Sequence, residues 1–243
     1  MIVGFLEEYQ SRQLPPSQED LQEVKKIPII NMENNNNYHW ILDAGHSGVD
    51  PDTGIYQTRG KRSPTFPSTS KYAGEVLYEG VRNRKVLEYL IPLLEENKIG
   101  YSVVSEKWKE SSLSDRVSKA NKIAEDNDNC IYLSIHHNAY GKGWNSAHGI
   151  STYHFPKSEK GYRLAQVFQN NNVEEMKWRS RGVKNSNFYV LKYTKMPAVL
   201  TENGFMTNLT EAEVLMSDKG SERIAKAHLN GIKEINKRGL KFL

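Results

Sequence analysis

A short apolar run that stops on glycine and histidine, Trp40-Ile41-Leu42-Asp43-Ala44-Gly45-His46-Ser47-Gly48, restricts this chain more than any other stretch. Three apolar residues in four make a buried strand, and Gly45 and Gly48 close it with a tight turn. His46 is thereby delivered where the chain leaves a sheet. In open α/β sheets, ligands bind in the crevice beyond the carboxyl ends of the strands. Taken alone, the pattern also fits a histidine satisfied by a backbone hydrogen bond beside a turn.

The 243 residues, 37% of them apolar, suit one large domain or a domain with an appendage. Pro15-Pro16 followed by Ser17-Gln18-Glu19-Asp20 predicts a capped, charged helix running to Lys26. The polar tract Asn34-Asn35-Asn36-Asn37 cannot pack as a core, so residues 1–37 read as an N-terminal appendage and linker, and residues 38–243 as the catalytic-sized domain. Val49 to Val76 is a long loop rich in Pro, Gly, Ser, Thr and basic residues, a length that in a compact domain is functional or disordered. Val81, Val86, Leu87, Leu90, Ile91 and Leu94 fall at helical spacing between Tyr78 and Asn97, with Glu79 opening the helix and Pro92 a kink or a shift of register. A strand is expected at Tyr101–Val104 and a helix from Ser114. A strand at Cys130–Ile135 is apolar enough to be central. Further strands are expected at Ile150–Phe155, Phe188–Leu191 and Ala198–Leu200, with helices around Tyr162–Phe168 and Glu222–Asn236. This alternation predicts an α/β fold: a single, mainly parallel or mixed twisted sheet of about six strands with helices on both faces.

The one cysteine, Cys130, excludes an internal disulfide framework and a Cys-rich zinc site, so any metal would be held by His, Asp or Glu. Four such residues fall at element ends: His46, His136 and Glu202 after apolar runs, and Glu79 at a helix start. Two histidines and one carboxylate leave a coordination position for water, which is the ligand count of a catalytic zinc site. A second carboxylate nearby can then move protons. Each residue also has a plain reading, Glu79 as a first-turn acid favoured by the helix dipole and Glu202 as a solvated turn residue.

Four motifs in order sharpen this: Asp43-Ala44-Gly45-His46-Ser47-Gly48; Glu79 with Asn83 four residues on; Ser134-Ile135-His136-His137-Asn138-Ala139; and Pro197-Ala198-Val199-Leu200-Thr201-Glu202-Asn203-Gly204-Phe205-Met206-Thr207-Asn208. Over roughly residues 38 to 236 the chain resembles the zinc-dependent N-acetylmuramoyl-L-alanine amidases, cell-wall hydrolases of bacteria and their phages. The resemblance implies hydrolysis of the amide between N-acetylmuramic acid and L-alanine in peptidoglycan, with Zn2+ as cofactor, His46, Glu79 and His136 as metal ligands and Glu202 as the catalytic carboxylate. Beside these, Asn83 is a candidate support behind a ligand, and Asn138, Trp144 in the loop after His136, and Arg181 in a basic segment that resembles one of the family are candidate substrate contacts, although a packed loop tryptophan and a solvated basic loop are the plainer readings of the last two. Glu75 competes with Glu79 but lacks an asparagine at the family's spacing. His137 departs from the family's small residue and is expected to face away from His136.

The rivals are a zinc peptidase cutting within the stem peptide, which would be expected to carry a compact His-Glu-x-x-His motif that does not occur here, and a non-catalytic peptidoglycan-binding module. A net charge of +4 biases the chain only mildly toward anionic partners, and nucleic acid is not expected. No stretch predicts a membrane span, and the N-terminus lacks a signal-peptide pattern. The expectation is therefore a phage-type lysin made in the cytoplasm and acting on the wall after lysis or delivery, with residues 1–30 available to attach it to a phage tail or injection device.

Overall fold

The computed structural model describes residues 38–240; the appendage, the helix expected within it and the linker lie outside the described residues. Six strands form one sheet: β1 (His39–Ala44), β2 (Tyr101–Val103), β3 (Cys130–Asn138), β4 (Ile150–His154), β5 (Ser180–Asn185) and β6 (Ala198–Phe205). Their order is β2-β1-β3-β6-β4-β5. The first four in that order are mutually parallel, β4 runs antiparallel to β6, and β5 runs parallel to β4. The sheet is therefore mixed, and the carboxyl ends of β1, β3 and β6 share one edge.

Alternation along the central strands builds two cores. Trp40, Leu42, Ile131, Leu133 and Val199 face helices α1 (Glu79–Glu96), α3 (Glu159–Met176) and α6 (Asp218–Arg238), through residues such as Leu90, Phe168 and Ile232. Ile41, Tyr132 and Leu200 face the opposite way, onto Val117 of α2 (Leu113–Glu125) and Tyr189 of α4 (Tyr189–Tyr193). Burial on both faces explains why these strands read as continuous apolar runs. Cys130 is a buried free thiol whose pKa burial pushes up to about 11, an inert core residue.

Three expectations are revised. Phe188–Leu191 is not a strand: Tyr189–Tyr193 forms a single helical turn that buries Tyr189, Val190 and Leu191 on the second core. An aromatic and β-branched run favours a strand only when a sheet edge is available to it, and here the packing partner is α2. The sixth strand is instead Ser180–Asn185, a half-exposed edge strand with little apolar content. A further helix, α5 (Leu209–Met216), follows β6 and is capped by Asn208, whose side chain accepts from the amide of Glu211. The helix predicted at Tyr78–Asn97 runs through Pro92 to Glu96.

Candidate active site

The start of α1 shows how the long loop after His46 serves the site. No side chain of the N-cap residue Tyr78 caps this helix. Its first amide groups, which have no partner within a helix, are taken by the loop: Glu79 N–H donates to the carbonyl of Lys61 at 3.0 Å, and Gly80 N–H to the hydroxyl of Tyr56 at 3.0 Å. Gly80 also lies against the turn after His46, since a β-carbon there would sit 1.9 Å from the carbonyl oxygen of Ser47. The loop thus fixes Glu79 at the first helical position, directly over the end of β1.

His46, Glu79 and His136 converge, with one potential ligand atom from each lying within 4.8 Å of the others. Nε2 of His46 lies 3.1 Å from Oε2 of Glu79, and Nδ1 of His136 lies 3.0 Å from Oε1. The two imidazoles stand nearly perpendicular, at 88°, with centroids 5.0 Å apart. Burial lowers the pKa of His46 to about 4, only partly opposed by Glu79, so its ring is neutral near pH 7. Burial works against ionisation of Glu79, but His46 and the hydrogen bond to His136 hold its carboxyl well below the usual range. Nε2 of His46 is buried without a hydrogen-bond partner, beside that ionised carboxylate. An unsatisfied imidazole nitrogen, a second imidazole and a carboxylate form a donor set that suits a divalent zinc-like cation. Glu75, the competing carboxylate, is exposed.

Glu202 is the cross-strand neighbour of His136. It is buried, and its Oε2 has no hydrogen-bond partner. Burial, reinforced by the negative charge of Glu79, pushes its carboxyl well above the ordinary range, against the opposing charges of Lys61 and Lys184. One carboxylate of the site is therefore held ionised and the other is disposed to take a proton, the kind of separation that divides roles between paired acids.

The backbone under His46 is locked. His46 has φ of 63°, the left-handed region that a side chain rarely adopts. Its carbonyl accepts from Arg84 at 2.8 Å and from Arg116 at 2.6 Å. Arg116 also pairs with the buried carboxylate of Asp43, which accepts from the Ser134 hydroxyl at 2.8 Å. Asn83 donates to the carbonyl of Gly45 at 3.0 Å and bonds Nδ1 of His137 through Oδ1, so it links the strand ends that carry His46 and His136. His137 is buried, and its amide donates to Oε1 of Glu79 at 3.2 Å. Asn203 donates to the carbonyl of His136 at 3.0 Å. Arg84 and Arg116 carried no separate signal in the sequence, because an arginine on an amphipathic helix reads as a solvated face; Asp43 stood in the first motif without a role of its own.

Three expected substrate contacts are not part of this cluster. Asn138 is buried and accepts from the amide of Ala139. Trp144 packs its ring 5.2 Å from that of Phe66 and donates to the carbonyl of Thr65 at 3.2 Å, bracing two loops together. Arg181 lies over the ring of Phe205 and donates to the carbonyl of His148. Among the described residues, no helix is long and apolar enough to cross a membrane.

The chain is similar to known proteins over this same unit. It is 34% identical to the uncharacterised protein YqiI of Bacillus subtilis, over 79% of this chain and 81% of that one. It is 28% identical to the endolysin of Bacillus phage SPP1, over 80% of this chain but only 64% of the endolysin. The solved N-acetylmuramoyl-L-alanine amidase from Clostridium difficile 630 superposes with a TM-score of 0.68 at 29% identity, covering 84% of this chain and 100% of that one. Residues 41–234, which take in most of β1, the five other strands and all four residues of the cluster, match the N-acetylmuramoyl-L-alanine amidase family, and the chain belongs to that family.

Proposed function

We propose that this protein is a zinc-dependent hydrolase of the amide joining N-acetylmuramic acid to the first L-alanine of the peptidoglycan stem peptide. The observation that carries the reading is the union of His46, Glu79 and His136 within 4.8 Å, with the unpaired Oε2 of Glu202 on the neighbouring strand. Zinc held by those three residues would supply Lewis acidity toward an amide carbonyl and bring the pKa of water toward about 7. His46 and His136 present imidazole nitrogens and Glu79 neutralises part of the cation's charge. Glu202 accepts the proton of the attacking water at its unpaired oxygen and returns it to the departing L-alanine nitrogen, which must be protonated to leave. Arg84, Arg116 and Asn83 hold the backbone carbonyls beneath the ligands, so the arrangement needs little reorganisation during reaction.

The test is product identity. Purified peptidoglycan treated with the protein should gain free L-alanine amino termini, with mass spectrometry finding muramic acid and the stem peptide both intact. Release of reducing sugar ends, or of peptides cut internally, would contradict the reading. The setting we propose is a phage-type lysin acting on the cell wall, supported by the likeness to the SPP1 endolysin. Co-expression with a membrane-permeabilising protein should then clear a susceptible culture; growth unaffected by the pair would contradict that setting.

A further inference from the structure

Beside the cluster lies a cleft of about 340 Å³ whose floor includes Glu79 and His137. One wall is the stretch Gly60–Thr65 and the other is Ala139, Gly141 and Lys142, with Thr207 between them. Both walls are fixed. The first is laddered onto the start of α1 through Glu79 N–H to Lys61 O at 3.0 Å and Ser63 N–H to Leu77 O at 2.8 Å. The second is tied to Thr207, which receives the amide of Tyr140 at its hydroxyl and that of Asn145 at its carbonyl. The Trp144 contacts with Thr65 and Phe66 brace one wall against the other.

Three cations, Lys61, Arg62 and Lys142, line this cleft, and among the described residues the only acid lining it is Glu79, already engaged with the two histidines. Some surface cations elsewhere have a carboxylate close by, as in Lys85–Glu88, Lys119–Glu106 and Arg163–Glu159. Among the described residues, Lys61, Arg62 and Lys142 have no such partner. The ammonium of Lys61 is close enough to bear electrostatically on both His46 and Glu202. A fixed concave surface carrying uncompensated positive charge next to a reacting centre favours an anionic group on the bound molecule.

We infer that the Lys61–Arg62–Lys142 cleft binds a free carboxylate of the stem peptide one or two residues beyond the scissile amide, and so selects peptides whose second residue is acidic over those in which it is amidated. The inference rests on the amidase reading above and names the substrate feature that the site reads. A carboxylate at that position lies about 4–7 Å along the chain from the reacting bond, within reach of a lysine on the adjoining wall. Charge-assisted pairs open to water are each worth up to about 1 kcal/mol, or about fivefold in affinity.

The experiment uses the full chain loaded with zinc and two matched muramyl peptides that differ only in a free carboxylate or a carboxamide at the second residue. We expect kcat/KM to favour the carboxylate about fivefold to tenfold, through KM, with the preference shrinking as salt rises. Lys61→Met and Lys142→Met should each bring the ratio toward one, and Lys61→Arg should restore part of it. Equal turnover of the two peptides by the wild type, or an unchanged ratio in both Met variants, overturns the inference and leaves the amidase reading intact. Calorimetric binding of the two sugar-free stem peptides is measured alongside. Equal affinities overturn the inference even without turnover, whereas discriminating affinities with no cleavage support the cleft and overturn the reaction.

Discussion

Gly45→Ala is expected to separate metal binding from folding. Gly45 does not occupy the left-handed region, so alanine is allowed there by the backbone. Its β-carbon would lie 2.1 Å from Cε1, 2.3 Å from Nε2 and 2.5 Å from Nδ1 of His136. The backbone cannot yield: Gly45 N–H donates to Ile135 O at 3.0 Å, and its carbonyl accepts from Asn83 at 3.0 Å. The imidazole must therefore swing away and give up its 3.0 Å contact with Glu79. Leaving a preferred rotamer costs about 0.5–1.5 kcal/mol, whereas replacing glycine at a permitted conformation stabilises by about 0.4–1 kcal/mol through the unfolded chain. The two nearly cancel, so the metal-free variant should melt close to the wild type. Zinc affinity, measured by competition with a chelator, should fall by at least the 10- to 100-fold that follows disturbance of residues around a metal. Wild-type zinc affinity in a folded Gly45→Ala protein would refute the assignment of His136 as a ligand in this geometry.

Three further outcomes follow from the packing. His228 is fully buried between the carbonyl of Ile224 at 2.7 Å and the hydroxyl of Thr201 at 3.0 Å, and burial lowers its pKa to about 4. Because the unfolded chain binds the proton first, its contribution is full above about pH 6.5 and is lost as the pH falls toward 4, on the order of 3 kcal/mol. Urea unfolding of the wild type and His228→Gln should show their stability difference shrinking over that window, and a constant difference would contradict this. Arg84→Met removes donors from the carbonyls of His46, Gly80 and Glu106. It should cost about 2–3 kcal/mol and weaken zinc binding; a loss under about 0.5 kcal/mol would place those carbonyls in solvent. A chain beginning at Glu33 should retain wall hydrolysis, because β1 starts at His39 and the four site residues lie beyond it; soluble but inactive protein would make the appendage part of the working unit.

The strands most plainly legible in the sequence are those buried on both faces. β1, β3 and β6 announce themselves because every residue along them is buried, and glycines or polar residues mark where they deliver side chains. The ends were harder to read: β3 continues through His136 and His137 to Asn138, and β6 through Glu202 to Phe205, because pairing between the two strands carries the polar residues with it. β5 was missed because an edge strand needs no apolar alternation; its pairing with β4 defines it. The four residues of the cluster were visible as polar residues at the ends of apolar runs. Their support was not. Arg84 and Arg116 sit on helices far along the chain from the histidine carbonyl they grip, and neither spacing nor composition reports a contact made by folding. Trp144 packs on Phe66 and Thr65, in keeping with the plainer of its two readings in the sequence.

The central claim, that three residues hold zinc while Glu202 moves the proton, is tested most directly by comparing Glu202→Gln with His136→Ala. Zinc content and release of L-alanine amino termini are measured on the same preparations. Glu202→Gln should keep one zinc per chain and lose roughly 100-fold to 10,000-fold in rate, whereas His136→Ala should lose both metal and activity. Full activity in Glu202→Gln, or zinc retained at wild-type affinity in His136→Ala, would contradict the division of roles.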